Sequence, residues 1–255
     1  MSGLAAGSPH APQPPRRKVV ALDPESVRYG LERRLLDRVR AYEHFDRLAE
    51  GILSGFDAPR IRRELMASSL RLTESMAPDA HRMAAEAQAL LDIEGRLEIY
   101  QSSGPENAAM HHHRDPILVE IQGRLLSLLD EPSMLSVLGH ELGHYLAHGP
   151  RSELGRLMLA ARVLSRAGQL PSDLVEVVSR MVVAAELTAD RFGLLAAQDL
   201  DAALRAEMVA TTGLAADALT WDTQAYLAQC RELMEACLAG TDETLSTTHP
   251  EHNLR

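Results

Sequence analysis

The sequence predicts an α+β fold that is mostly helical and contains one small β-sheet. Apolar residues recur at helical spacing through most of the chain. Only residues 96–122 combine strand-like alternation with glycine and proline turn signals. With 255 residues, of which 45% are hydrophobic, the chain is long enough to bury a core without disulfides or a structural metal.

The first 95 residues divide into a tail and a helical region. Residues 1–20 are rich in proline, alanine and glycine, a composition that predicts a disordered tail. Asp23 followed by Pro24 is typical of a helix start, and residues 21–95 are predicted to form a helical N-terminal region. Three helices are predicted there, over residues 24–50, 58–75 and 78–94.

Residues 96–255 are predicted to form a second domain, which begins with the sheet. Turn signals separate its strands, which are predicted near residues 97–100, 107–113 and 116–121. Most of the remaining sequence has helical periodicity. Helices are predicted there over residues 122–130, 132–148, 151–168, 171–198, 201–213 and 217–239.

The charge balance excludes several classes of partner. The chain has 26 basic and 36 acidic residues, and its formal net charge of −10 disfavours nucleic acid or an anionic membrane as a partner. No apolar stretch is long enough to predict a membrane span, and the N-terminus lacks the apolar core of a secretory signal. Cys230 and Cys237 are too far apart on a predicted helix for a disulfide, so we expect free thiols and a cytoplasmic location.

Residues 140–144 read His-Glu-Leu-Gly-His, which is the HExxH pattern. Two histidines four positions apart lie on one face of a helix, so both imidazoles can reach one metal ion. Glu141 is next to the first ligand and within reach of a water molecule that the metal activates. The pattern therefore predicts that His140 and His144 bind zinc and that Glu141 is a general base. The competing interpretation, a histidine pair packed in the core, leaves the adjacent carboxylate without a role.

A catalytic zinc ion needs a third protein ligand and an open position. His148 is about 12 Å along the helix axis from His140, too far to complete the site. Glu186 is the better candidate, and Asp190 lies four residues later on the same predicted helix face. One of these carboxylates can bind the metal while the other accepts the outer N–H of a zinc-bound histidine. A solvated acidic helix face is the alternative interpretation.

Two glycines occupy the predicted metal-binding helix. Gly139 and Gly143 each cost roughly 1 kcal/mol relative to alanine inside a helix. We therefore expect them to be there because another backbone approaches this helix closely.

Three consecutive histidines lie in the predicted sheet. Neighbouring residues of a strand point to opposite faces, so His111, His112 and His113 cannot all serve one ion. An exposed polar hairpin is the expected environment. The alternatives are a role as subsite residues near the cleft and weak binding of a second metal ion.

Three segments in sequence order resemble metallopeptidase family forty-eight, the gluzincins that include HtpX and the Ste-type CAAX prenyl protease. The segments are HELGH, then ELTADRF, then THP near the end, and the resemblance covers about residues 107–255. It implies a zincin-like metallopeptidase domain of the gluzincin type. It also implies one zinc ion per chain, bound by His140, His144 and Glu186.

The resemblance also implies roles for residues around these ligands. Glu141 is implied as the general base, and Asp190 as the partner of a ligand histidine. His249 is implied to flank the site and stabilise the oxyanion, with Arg255 matching an arginine that often follows. An extended polypeptide substrate is implied to pair with an edge strand, for which we choose Asn107, Ala108 and Ala109.

The sequence therefore predicts a zinc-dependent endopeptidase that cleaves unfolded or flexible segments of polypeptides. A regulatory or scaffolding protein with a latent or structural zinc site is the alternative. In that case the helices within residues 24–94 would bind a partner or inhibit the site. A regulator protease of the ImmA type also uses HExxH, but its third ligand usually follows much sooner.

Overall fold

The computed structural model describes residues 15–215 and 217–238. Within them the chain forms helices α1–α11 and strands β1–β4, numbered in chain order. The helices are α1 (Pro24–Val27), α2 (Leu31–Arg40), α3 (Phe45–Ser54), α4 (Ala58–Ser68), α5 (Pro78–Leu90), α6 (Leu125–Leu128), α7 (Glu131–His148), α8 (Glu153–Arg166), α9 (Ser172–Ala197), α10 (Leu200–Thr212) and α11 (Thr223–Leu238). The strands are β1 (Leu70–Leu72), β2 (Leu97–Ser102), β3 (Asn107–His111) and β4 (Ile117–Gln122). The predicted class, mostly α with one small sheet, is confirmed.

The sheet has the strand order β1-β2-β4-β3. The two central strands, β2 and β4, run parallel, and the edge strands β1 and β3 pair antiparallel with them. Ile99 and Val119 on one face pack into the main core, whereas Tyr100 and Leu118 on the other face pack with Leu65 of α4. Because side chains alternate between the faces, both faces of the central strands are buried.

Helix α7 lies at the centre of the fold. Asp130 caps it by accepting a hydrogen bond from the backbone N–H of Ser133, and Pro132 lies in its first turn. The helix packs against α5, α9, α10 and β3, and most of its side chains are buried. Burying a polar side chain on such a helix is costly unless it has a hydrogen-bond partner within the protein.

Two clusters of buried apolar side chains form the core. The first joins α5, the sheet and α7, where Met83 and Leu135 belong to the same cluster. The second joins α2 and α3 with α8 and α9, where Leu36 and Val178 belong to the same cluster. Residues before and after position 95 therefore contribute to both clusters.

The prediction of one helix over residues 24–50 is wrong, because three helices occupy this stretch. Arg28 has φ −56° and ψ 136°, which ends α1, and the N–H of Tyr29 donates to Oγ1 of Thr188 on α9. The N–H of Tyr29 therefore bonds to α9 instead of continuing the hydrogen bonds of α1. Apolar periodicity cannot reveal such a break, because the apolar residues keep their spacing across it.

The predicted helix over residues 58–75 also ends early. Helix α4 stops at Ser68, Ser69 is extended, and Leu70–Leu72 pair antiparallel with residues 99–101 of β2. A strand of three residues is too short for alternation to be recognised, so only the neighbouring strand determines its structure.

Residues 15–20 form no helix or strand, but they contact the folded chain. Arg16 donates hydrogen bonds to the carbonyl of Ala197 and to Glu86, and the N–H of Val19 donates to the carbonyl of Leu90. These residues therefore pack against α5 and α9, although their composition predicts disorder.

Candidate metal centre

Helices α7 and α9 cross at a very short distance. A Cβ added at Gly139 would lie 3.0 Å from the carbonyl oxygen of Phe192, and one at Gly143 would lie 2.6 Å from its Cβ. From the other side, a Cβ at Gly193 would lie 2.8 Å from the carbonyl oxygen of Ser136. The expected close approach of another backbone is confirmed at Gly139, whereas at Gly143 the closest group is the side chain of Phe192. The crossing brings carboxylates on α9 within reach of imidazoles on α7.

Three side chains converge at this crossing. Nε2 of His140 and Nε2 of His144 are 3.1 Å apart. The carboxylate of Glu186 lies 3.4 Å from the first nitrogen and 3.5 Å from the second. His140 and Glu186 are buried and His144 is partly buried, so the group could hold a metal ion. The structure thus brings together the three residues that the sequence predicted as ligands.

The spacing and the chemistry of these three groups fit zinc. In a tetrahedral site with bonds of about 2.0–2.1 Å, two ligand atoms lie roughly 3.3 Å apart. The two nitrogens are 3.1 Å apart, Oε2 of Glu186 lies 3.4 Å from Nε2 of His140, and Oε1 of Glu186 lies 3.5 Å from Nε2 of His144, so each of these separations is close to this value. Two imidazoles and one carboxylate would leave the fourth position open, as a catalytic site requires.

Asp190 determines which nitrogen of His140 carries the proton. Its Oδ1 lies 2.9 Å from Nδ1 of His140. Because an ionised carboxylate only accepts hydrogen bonds, Nδ1 carries the proton and Nε2 directs its lone pair towards Glu186. Of the two acidic residues singled out in the sequence, Glu186 therefore faces the imidazole pair and Asp190 faces an outer nitrogen.

Behind His144 lies His148, the last residue of α7. The two Nδ1 atoms are 3.2 Å apart, and Nε2 of His148 is 2.8 Å from Oε2 of Glu32. Burial lowers the pKa of His148, although the hydrogen bond with Glu32 opposes this effect. Burial raises the pKa of Glu32, but its hydrogen bonds, from His148 first, outweigh burial and lower that pKa overall.

Glu141 lies beside the three converging side chains. It is 3% exposed, and its Oε1 is 4.0 Å from Nε2 of His140. Its Oε2 accepts a hydrogen bond of 2.6 Å from the backbone N–H of Met110 in β3. A carboxylate anchored next to a metal site has the position that a general base needs.

The free edge of β3 faces this site. In an antiparallel pair, a strand residue directs both backbone groups towards its neighbour or both away from it. Because the N–H of Met110 donates to Glu141, Met110 and, two residues earlier, Ala108 direct their backbone groups away from β4. The predicted edge residues are Asn107, Ala108 and Ala109. Of these, Ala108 directs its backbone N–H and carbonyl away from β4, and so does Met110, which was not predicted.

A cavity of about 590 Å³ opens next to His140 and Glu141. Helices α7, α9, α10 and α11 form most of its wall, with Asn107 and Ala108 at the edge of β3. Its apolar lining includes Leu125, Val137, Leu187, Leu194, Leu200, Leu204 and Leu227. A cavity of this size and character can enclose a large apolar side chain. Cys230, a free thiol as predicted, also contributes to the wall.

The three consecutive histidines have separate partners. Nε2 of His111 is 2.9 Å from Oε2 of Glu120, and Nδ1 of His113 is 2.8 Å from the carbonyl oxygen of Pro116. Burial lowers the pKa of His112 to about 4. His111 and His112 are partly buried and His113 is buried, and the ring of His112 packs edge-on against Phe56, so the expectation of an exposed hairpin is wrong.

Two other residues from the sequence analysis, His249 and Arg255, lie outside the residues that the structure describes. Sequence reasoning also missed three groups that contact the site: Glu32, His148 in its present role, and the N–H of Met110. His148 has a recognisable signal, because it lies one helical turn beyond His144 on the same face. The other two have no local signal.

A helix-borne HExxH pair that faces a carboxylate on a second helix is the arrangement of the gluzincin class of metallopeptidases. The model of peptidase family M48 matches residues 74–255, well over half of the sequence. The chain therefore belongs to peptidase family M48.

A curated relative is plastoglobule-localized metallopeptidase 48, chloroplastic, from Arabidopsis thaliana. It is 26% identical over 219 residues, which cover 84% of this chain and 64% of the relative. The chain thus spans less than two thirds of that relative's length. No solved structure matches the chain. Among the described residues, no helix is both long enough and apolar enough to cross a membrane.

Proposed function

We propose that this chain is a zinc-dependent endopeptidase that hydrolyses peptide bonds in unfolded or flexible polypeptide segments. The observation that carries the proposal is the convergence of His140, His144 and Glu186 at zinc-like spacing, with Glu141 beside them. Membership of a peptidase family supports it.

In the proposed reaction, zinc supplies Lewis-acid activation of water and of the peptide carbonyl. Glu141 accepts a proton from the attacking water and returns it to the leaving amine. Asp190 holds His140 with Nε2 unprotonated, which keeps this nitrogen available as a ligand. Because Glu141 is buried, water screens its charge poorly, and its electrostatic interactions during the proton transfer are stronger than they would be in solvent.

The edge of β3 supports an extended substrate. A polypeptide can add to a free sheet edge only when its own backbone groups are unpaired, which favours unfolded or flexible segments. Because Glu141 already occupies the N–H of Met110, we propose that substrate pairs with Ala108 and with the carbonyl of Met110. The neighbouring cavity would receive an apolar side chain of the substrate.

Other parts of the proposal rest on the family resemblance. They are the roles of His249 in stabilising the oxyanion and of Arg255 next to it. A cytoplasmic location and zinc as the natural metal are also part of the proposal, whereas a partner-binding or inhibitory role for residues 24–94 belongs to the alternative function, a latent or structural zinc site.

The test replaces Glu141 by glutamine. E141Q keeps the size of the side chain and removes the base, so zinc content should stay at one per chain. Cleavage of unfolded casein should fall by roughly 100-fold or more, the usual contribution of a general base. E94Q is the matched control, because Glu94 is an exposed carboxylate away from the site.

The same experiment separates the two functions that the sequence left open. A latent or structural zinc site predicts bound zinc and no casein cleavage by the wild-type chain. If E141Q cleaved casein as fast as the wild-type chain, Glu141 would not be the base.

A further inference from the structure

Glu32 lies where helices α2, α7 and α9 meet, and it is fully buried. Its Oε2 is 2.7 Å from Nη1 of Arg28 and 2.8 Å from Nε2 of His148. Its Oε1 accepts a hydrogen bond from the hydroxyl of Thr188. Thr188 lies between Glu186 and Asp190 on α9, so one carboxylate contacts both helices that carry the predicted ligands.

The hydrogen bonds of this group have a defined direction. The Glu32 carboxylate only accepts, so the proton of a neutral His148 is on Nε2 and its Nδ1 is an acceptor. The Nδ1 of His144 must then be the donor in the 3.2 Å contact with His148. As a result, Nε2 of His144 carries no proton and faces Glu186.

The two predicted histidine ligands are thus oriented in different ways. His140 donates directly to Asp190, whereas His144 donates to His148, which donates in turn to Glu32. Both arrangements end in a carboxylate that fixes the position of a proton on the imidazole.

We propose that His148 and Glu32 are positioning residues for the metal ligand His144. This inference rests on the proposed function only for the assignment of His144 as a ligand. It makes α2 a part of the metal centre, although α2 precedes the residues that match the family model.

The charge of Glu32 is balanced within the same group. Arg28 is 7% exposed and donates to Glu32 and to the carbonyl of Ala147 near the end of α7. A buried carboxylate without such a cation would tend to take up a proton. With Arg28 present the Glu32 carboxylate stays ionised and only accepts hydrogen bonds. This is what places the proton of His148 on Nε2.

The competing explanation is that this buried group serves only folding. Both explanations predict some loss of stability when a side chain of this hydrogen-bonded group is replaced, because its former partner is then buried without a hydrogen bond. They differ in the affinity for metal, since groups that orient a ligand typically change affinity by about 10–100-fold. Affinity must therefore be measured directly and under conditions where every variant is folded.

The test compares two substitutions of His148. Glutamine in H148Q can still accept from His144 and donate to Glu32, whereas leucine in H148L fills similar space and can do neither. We expect H148L to weaken Zn²⁺ binding by about 10–100-fold and H148Q to bind with affinity close to that of the wild-type chain. Dissociation constants come from competition with a coloured chelator, and circular dichroism establishes that each variant is folded.

Two further variants complete the comparison. E32Q removes the negative charge that accepts the hydrogen bond of His148. We expect it to weaken Zn²⁺ binding by about 10–100-fold, as H148L does. E98Q is the matched control, because Glu98 is also buried and bonded to an arginine, but it lies on β2 away from the site. We expect E98Q to lose stability and keep wild-type affinity for zinc.

The inference is overturned if folded H148L binds Zn²⁺ as tightly as the wild-type chain, or if H148Q is as weak as H148L. It is also overturned if E98Q weakens zinc binding as much as E32Q does, since any buried carboxylate would then have the effect. A wild-type chain that binds no zinc overturns both this inference and the proposed function. Zinc binding with the expected variant pattern but without casein cleavage supports the inference and refutes the endopeptidase proposal.

Discussion

Glu98 illustrates how much a single buried carboxylate depends on its partners. Its oxygens lie 2.8 and 2.9 Å from two nitrogens of Arg62, and the hydroxyl of Tyr100 donates to it at 2.8 Å. Burial raises the pKa of Glu98, but these hydrogen bonds outweigh burial and lower its pKa overall. Its pKa in the folded state is therefore below the value of about 4.3 expected in the unfolded chain.

E98Q is predicted to destabilise the fold in a manner that depends on pH. A lowered pKa contributes stability above the unfolded pKa, and this contribution is lost as the pH falls through the folded pKa. We expect E98Q to lower the free energy of unfolding by about 1–3 kcal/mol at pH 7, and by progressively less as the pH falls below the unfolded pKa of about 4.3. Urea unfolding at pH 7, 5 and 3.5 measures the difference. A difference that stayed constant over this range would contradict the assignment.

For individual residues, the sequence revealed the site residues that lie within one helical turn of another site residue. His140 and His144, like Glu186 and Asp190, are four positions apart, and that spacing alone places each pair on one face. Glu32 could not be found in this way. Its contacts with α7 and α9 join residues more than a hundred positions apart, and only the folded chain brings them together.

At the scale of elements, the crossing of α7 and α9 determines the spacing of the predicted ligands. Gly143 lies one residue before His144, and it packs against Phe192, two residues after Asp190. A methyl group here would push the helices apart at the point where imidazole and carboxylate must meet. Gly51 offers the opposite case, because nothing lies within 4 Å of a Cβ built on it inside α3.

We expect the same substitution to have opposite effects at these two glycines. G143A should lower the free energy of unfolding by about 1–3 kcal/mol through overpacking, and should also weaken zinc binding. G51A should raise the free energy of unfolding by about 0.5–1 kcal/mol, because alanine is the better helix former. Thermal and urea unfolding with chelator competition measure both quantities. If G143A and G51A changed the free energy of unfolding equally, position 143 would have room for a methyl group next to Phe192.

Local periodicity predicted the long elements better than the short ones. Helices α7 and α9 begin and end within two residues of their predicted bounds, since caps, prolines and an unbroken apolar face define them. The helix predicted over residues 24–50 was wrong because Tyr29 bonds to α9, and β1 was missed because it exists only by pairing with β2. Short elements depend on tertiary partners, and single-sequence patterns carry no record of those partners.

At the scale of the whole molecule, the N-terminal helices are built into the core. Leu36 and Val39 of α2 and Phe45 of α3 are at most 4% exposed, and they share a cluster with side chains of α8 and α9. On the other side, α5 packs against α7. Removing residues 1–95 would expose both sets of partners to water at once.

This packing predicts the result of a truncation. A chain that starts at residue 96 should lack the cooperative unfolding of the full chain, because it loses part of both apolar clusters together with Glu32. It should also bind Zn²⁺ more weakly and cleave casein more slowly than the full chain. An inhibitory N-terminal region predicts the reverse, a folded truncated chain with higher activity. Near-ultraviolet circular dichroism, chelator competition and casein cleavage on both chains decide between them, since only a separable inhibitory region leaves fold and zinc affinity intact while activity rises.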